Sequence, residues 1–278
     1  MQRLVIFTLV IVLLVAAAVT YSRNIRNNSV IRMRVMGTEL RVVVNHPGSP
    51  EHVKEAVDTI KRIAGLLDKY DEKSELSKIN RAAGVEKVAV AKETFAAIEQ
   101  ALFVSNLTRG AFDVTLKDYS KVALEPFHKN VFIKDPKLQI DLGGMGKGFA
   151  VEKARQALIK RGVKSALIDM RSSMAAIGGP WKIGLADTKE TILLNNGEAL
   201  STSGNSEQGE HIVNAKTGKM SATCRSVTVI AKDAGFADAL STAIFVMGPA
   251  RGIELVKTLE GVKAIVVDSN GKVLKSWQ

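Results

Sequence analysis

Residues Asp141–Ala150 read DLGGMGKGFA, with Gly143, Gly144, Gly146 and Gly148 inside six positions, Asp141 before them and Lys147 among them. Glycines this dense let a backbone approach something that a Cβ would hold off. Where they run into a helix start they leave N–H groups for an anion, and Lys147 adds a point charge suited to phosphate. Two common phosphate motifs are excluded. A Walker loop needs Ser or Thr after its lysine, where Gly148 stands. The dinucleotide fingerprint needs two residues between its second and third glycines, where Lys147 alone separates Gly146 from Gly148. On pattern alone the block reads equally as a ligand loop and as a tight structural turn. Asp141 likewise reads as an acceptor for a ligand base or ribose, or as the cap of that turn.

Asp238 and Thr242, in ADALSTAIF, are four apart and share one helical face. A carboxylate and a hydroxyl so placed, joined by a backbone carbonyl from elsewhere, suit a hard cation such as Mg²⁺. Taken alone the pair fits a plainer reading better: Asp238 caps its helix and Thr242 bonds back to a carbonyl. His211, in EHIVNAKTG, offers a general base, although no Ser/His/Asp order accompanies it. STSGN (201–205) could line a pocket or form a loop. RGAFDVT (109–115) supplies Gly110 and Asp113 in a β-prone setting.

These residues need elements to position them. TELRVVVN (38–45) has strand composition. A helix follows, with Ser49 as cap, Pro50 in its first turn and Val53, Val57, Ile60, Ala64 and Leu67 as its apolar stripe. A second helix is expected over 93–107, with Phe95, Ile98 and Leu102 facing in. FAVEKARQALIKRG is a helix stopped by Gly162, and SALIDM the strand after it. WKIGLA and SVTVIA are strands. Helices over 237–247 and 249–259 come next, and Asn270-Gly271 marks a terminal hairpin. The mixed order of elements predicts an α+β fold rather than a regular βαβ series.

The chain of 278 residues is long enough for a sizeable core, and its charged fraction of 24% is that of a globular protein. A net charge of +11 would suit an anionic partner, but the lysines are scattered and aromatics make up only 5%, which argues against a nucleic-acid platform. Cys224 is the single cysteine, so an internal disulfide and a cysteine-based zinc site are excluded. Residues 1–22, with an apolar run from Leu4 to Val19 between Arg3 and Arg23, read as a signal peptide or signal-anchor helix. Retention by an uncleaved helix is the favoured reading. The polar, basic residues 23–33 read as a tether, and 34–278 as the functional domain.

Together and in this order the fragments resemble the ApbE family of flavin transferases. The resemblance rests on MGT (36–38), KYDEKSELSKIN (69–80), GAFDVT, DLGGMGKGFAVE, STSG, HIVNAKTG and ADALSTAIFVMG. It implies a T-fold-like arrangement of mixed sheets with packed helices. It also implies Mg²⁺-dependent transfer of FMN from FAD to a threonine hydroxyl of an exported or membrane redox protein, with release of AMP. By resemblance the Gly144 carbonyl, Asp238 and Thr242 hold the metal. Met36, Tyr70, Ala111, Phe112, Asp113, Asp141, Lys147 and Ile212 line the FAD site, and His211 and Lys147 are the catalytic pair. With the apolar N-terminus, this places the domain at the bacterial inner membrane, facing the periplasm or cell exterior.

Three departures bear on that expectation. Arg171-Ser172-Ser173 stands where the family has a Gly-Gly-Asp turn, whose special backbone angles are then at risk. Asn214-Ala215 replaces Asp-Pro, and LKDY (116–119) replaces a proline-leucine. Alternatives are therefore hydrolysis of FAD to FMN and AMP, a flavin-binding protein without catalysis, and a tethered basic domain for anionic lipid or polymer.

Overall fold

A computed structural model describes residues 28–204, 212–215 and 217–277. The chain opens with β1 (Asn28–Val35) and β2 (Thr38–Asn45), then α1 (Ser49–Leu67) and α2 (Glu75–Arg81). β3 (Val88–Ala89), α3 (Lys92–Leu107), β4 (Val122–Glu125) and β5 (Asn130–Ile133) follow. After α4 (Gly146–Lys160) come β6 (Ala166–Asp169), β7 (Ser173–Ile177), β8 (Trp181–Gly184), β9 (Thr191–Leu194) and β10 (Ala199–Gly204). Short β11 (Val213–Asn214) and β12 (Lys219–Met220) precede β13 (Cys224–Ala231), α5 (Ala234–Met247), α6 (Pro249–Lys257), β14 (Lys263–Asp268) and β15 (Val273–Lys275).

Eight strands form the main sheet in the order β1-β2-β6-β7-β10-β13-β14-β15. Every pairing among the described residues is antiparallel, so the sheets are mixed in size and not in strand direction. The α+β expectation holds. The proposed N-terminal helix lies outside the described residues, and among those described no helix is long and apolar enough to cross a membrane.

Period-two alternation divides the sheet into two buried faces. Leu40, Val42, Val44, Ala166, Ile168 and Ala175 point to one face, where α1 and α4 pack, and α5 continues that layer over Val227 and Val229. Val43, Leu167, Ala176, Leu200, Ile230 and Ile265 point to the other face, covered by Ile183, Leu185 and Leu194 of the β8–β9 hairpin. A hydrophobic run such as LRVVV is thus a strand buried on both sides.

The tether is shorter than expected. Asn28–Val35 pairs along its whole length with β2, and Ile31, Met33 and Val35 alternate inward against Arg32 and Arg34 outward. The arginines hid that period in a stretch read as merely polar. Met36 and Gly37 close the hairpin with φ of 50° and 73°, the signs a two-residue type I′ turn requires.

Ser49 is the first residue of α1 rather than its side-chain cap, and its hydroxyl lies 2.8 Å from that of Ser29. Ala64 is half-buried at the edge of the stripe, which Ala56 and Ile63 complete. Cys224 is buried, and burial pushes its thiol pKa up, as for an inert core residue.

Candidate functional site

A cavity of about 600 Å³ opens between the glycine block and the sheet, under the segment that follows β8. Its lining includes Ala111, Phe112, Asp113, Asp141, Gly144 and Lys147 from the first half of the chain, and Ile212, Asp238 and Thr242 from the second. Two of the residues assigned to the flavin site lie off this lining. Met36 packs under the start of α4, its Cε 3.4 Å from where a Cβ on Gly146 would stand. Tyr70 is 84% exposed, and the Lys69 ammonium lies 4.9 Å above its ring. His211 lies outside the described residues.

Asp238 is buried on α5, and its two oxygens accept from different elements. The Gly148 N–H, third in α4, donates to Oδ2 at 2.8 Å, and Ser201 Oγ donates to Oδ1 at 2.8 Å. The fully buried Ser173 Oγ lies 3.1 Å from Ser201 Oγ and completes this buried polar group. Asp238 thus caps α4 rather than its own helix, whose cap is Asp233, bonded to Phe236 N. Burial raises the Asp238 pKa, against the charge of Lys147 and the bonds from Gly148 and the two serines. A carboxylate desolvated in this way gains from a cation beside it.

Thr242, one turn along α5, donates to the Gly144 carbonyl at 3.1 Å and lies 3.2 Å from Ser203 Oγ. The oxygens of Gly144 and Thr242 are therefore brought together across 98 positions. Neighbouring ligands of an octahedral Mg²⁺ stand about 2.9 Å apart, so the spacing of this pair suits a hard cation, and Asp238, one turn back on α5, lines the same cavity. Among the described residues no group of three or more His, Cys, Asp or Glu side chains gathers to hold a metal. Such a site depends on one carboxylate supported by neutral oxygens.

The glycine block serves two purposes. A Cβ on Gly148 would lie 2.2 Å from the Ala234 carbonyl oxygen and 2.6 Å from Asp238 Cβ, so this glycine lets α4 and α5 touch. Gly143 and Gly144 face the cavity. Asp141 takes the cap form of its two expected ones, Oδ1 accepting from Gly143 N at 2.8 Å, while Oδ2 pairs with Lys69 at 2.6 Å. Burial lowers the Lys69 pKa, but the bond and charge of Asp141 outweigh it and hold the ammonium above its ordinary value. Asp113 directs its carboxylate to its own loop, accepting from Thr115 N and Oγ1, both at 2.7 Å, and from Tyr119 N at 3.2 Å.

The turn after β6 keeps the backbone sign that its sequence put in doubt. Arg171 has φ of 65°, the left-handed region, at about 1–2 kcal/mol for a residue with a Cβ. Arg171 N donates to Asp169 Oδ1 at 2.7 Å, and the Ser172 carbonyl accepts from Thr202 N at 2.7 Å. Sequence reasoning missed Asp169 and residues 183–188 as cavity lining, and Ser173 as the partner of Ser201. Ser173 had no local signal, since its role appears only where β7 meets β10.

Residues 36–122 and 116–266 match the profile of the ApbE family. The chain belongs to the ApbE family. The FAD:protein FMN transferase of Klebsiella pneumoniae is 27% identical over 260 residues, spanning 78% of this chain and 82% of its own. That of Treponema pallidum is 25% identical and spans 87% and 85%. The crystal structure of the ApbE protein from Thermotoga maritima superposes with a TM-score of 0.82 at 29% identity, over 90% of this chain and 97% of its own. The flavin transferase ApbE of Vibrio cholerae, at 21% identity and a TM-score of 0.78, shares the fold. The ApbE match includes the glycine block and α5, which carry Gly144, Asp238 and Thr242.

Proposed function

We propose that this chain transfers FMN from FAD to a threonine hydroxyl of an exported or membrane redox protein, with Mg²⁺ as cofactor and AMP as the leaving group. One observation carries the reading. Gly144 O and Thr242 Oγ1 meet at the wall of a cavity that Asp238 and Lys147 also line. The names of the relatives, FAD:protein FMN transferase, support the choice of reaction.

Gly144, Asp238 and Thr242 would hold the metal, with Ser201 and Ser173 orienting Asp238. When bound, Mg²⁺ neutralises the diphosphate and stabilises the phosphate that leaves. Lys147, in the first turn of α4, adds its charge to the same phosphates. The acceptor threonine oxygen bonds to the phosphorus of the FMN half, and the bond from that phosphorus to the AMP oxygen breaks. The threonine proton passes to a base, for which the sequence supplies His211. The other residues align donor and acceptor, which is most of what phosphoryl transfer requires. The apolar N-terminus supports a location at the inner membrane, with the domain facing the periplasm or cell exterior.

Incubating the full chain with FAD, Mg²⁺ and a threonine-bearing acceptor peptide tests the reading. AMP release with an FMN-sized mass gain on the peptide is the expected result. AMP and free FMN without labelling would instead indicate hydrolysis, and FAD bound intact a binding protein.

A further inference from the structure

Of the three groups read as metal ligands, the Gly144 carbonyl and an ionised Asp238 carry no proton, whereas the Thr242 hydroxyl has one proton and two lone pairs. In the structure Thr242 donates to the Gly144 carbonyl at 3.1 Å. That proton points along the side the two oxygens share, which is the side a cation held by both would take. A hydroxyl that gives a lone pair to a cation turns its proton away from the positive charge, so Thr242 needs a second acceptor. Ser203 on β10 supplies it: its buried Oγ lies 3.2 Å from Thr242 Oγ1. Hydroxyl pairs that share a proton usually close to below about 3.0 Å, and the longer gap suits a Thr242 proton spent on Gly144. Ser203 Oγ lies 2.8 Å from the fully buried Ser241 Oγ, which donates to the Asp238 main-chain carbonyl at 2.9 Å. The row therefore ends on an acceptor that needs no proton of its own.

We propose that Ser203 is a positioning residue for the cation: it takes the Thr242 proton when Thr242 and the Gly144 carbonyl serve as ligands, and Ser241 keeps it in the accepting orientation. In that order Thr242 donates to Ser203, Ser203 to Ser241 and Ser241 to the Asp238 carbonyl. Each hydroxyl then donates once, and both lone pairs of Thr242 stay free. In the opposite order Ser203 would donate to Thr242 and occupy one of those lone pairs. The inference rests on the magnesium reading of the site.

Calorimetric titration of the full chain with Mg²⁺, alone and with FAD present, tests it on the wild type, Ser203→Ala, Ser241→Ala and the double variant. Ser203→Ala should bind Mg²⁺ about tenfold more weakly, the usual size for an outer partner of a metal ligand. Ser241→Ala should lose less, and the double variant no more than Ser203→Ala, because Ser241 acts through Ser203. Without Mg²⁺ the melting temperature of Ser203→Ala should change little, while the rise that Mg²⁺ brings should shrink. Unchanged Mg²⁺ affinity in Ser203→Ala would overturn this inference and leave the magnesium reading standing. So would losses that multiply in the double variant, or a lowered melting temperature with the Mg²⁺-induced rise intact, since either would mean a packing role alone. A wild type that binds no Mg²⁺ under either condition would overturn the magnesium reading and this inference with it.

Discussion

The carboxylate of Asp238 accepts the backbone N–H of Gly148 at 2.8 Å, across 90 positions of chain. With the bond from Thr242 to Gly144 this contact joins the glycine block to α5, and neither partner tolerates much change. Gly148→Ala would drive a Cβ into the Ala234 carbonyl, which is backbone and cannot swing aside. We expect a loss of about 1–3 kcal/mol in a denaturant titration, the usual cost of overpacking. Magnesium affinity measured by calorimetry should fall with it, because the two helices must part.

Asp238→Asn keeps the shape and removes the charge. The amide oxygen can still accept from Gly148 N while the amide nitrogen donates to Ser201 Oγ, whose proton can turn to the Ser172 carbonyl 3.2 Å away, so the fold should survive. AMP release should drop by more than about a hundredfold, since metal-borne charge stabilisation is worth several kcal/mol. Wild-type turnover in a folded Asp238→Asn would remove Asp238 from the metal set.

Ser201→Ala tests orientation without touching charge. Asp238 Oδ1 would lose the Ser201 donor, and Ser173 its Ser201 partner. Outer partners of metal ligands are commonly worth tenfold or more in affinity, so Mg²⁺ binding should weaken by about tenfold. Circular dichroism should show the fold retained.

The Lys69–Asp141 pair predicts an alkaline transition. The Lys69 pKa is raised in the folded chain, so the folded state binds this proton more tightly than the unfolded chain does. The resulting stability is fully present below the ordinary lysine range and is lost as pH rises through the raised value. In Lys69→Met that part of the alkaline decline in unfolding midpoint should vanish, while the slope near neutrality stays the same. An identical alkaline slope in both proteins would show that the pair contributes nothing to stability.

What the sequence determined by itself was local. The stripe Val53, Val57, Ile60 and Leu67, the Asn270-Gly271 hairpin and the helix after the glycine block follow from side-chain period and turn chemistry, which act within a few residues. Resemblance of ordered motifs then supplied the family, which the profile match shows. The tertiary structure alone decided that Asp238 caps α4 and not its own helix, that Gly148 is a glycine because α5 passes it, and that Ser173 supports Ser201. It also decided that Arg171 keeps a positive φ and that β1 begins inside the supposed tether. The first three of these are contacts between segments far apart in the chain. Such a contact leaves no period or spacing in the sequence, because its partner is chosen by how sheet and helices stack.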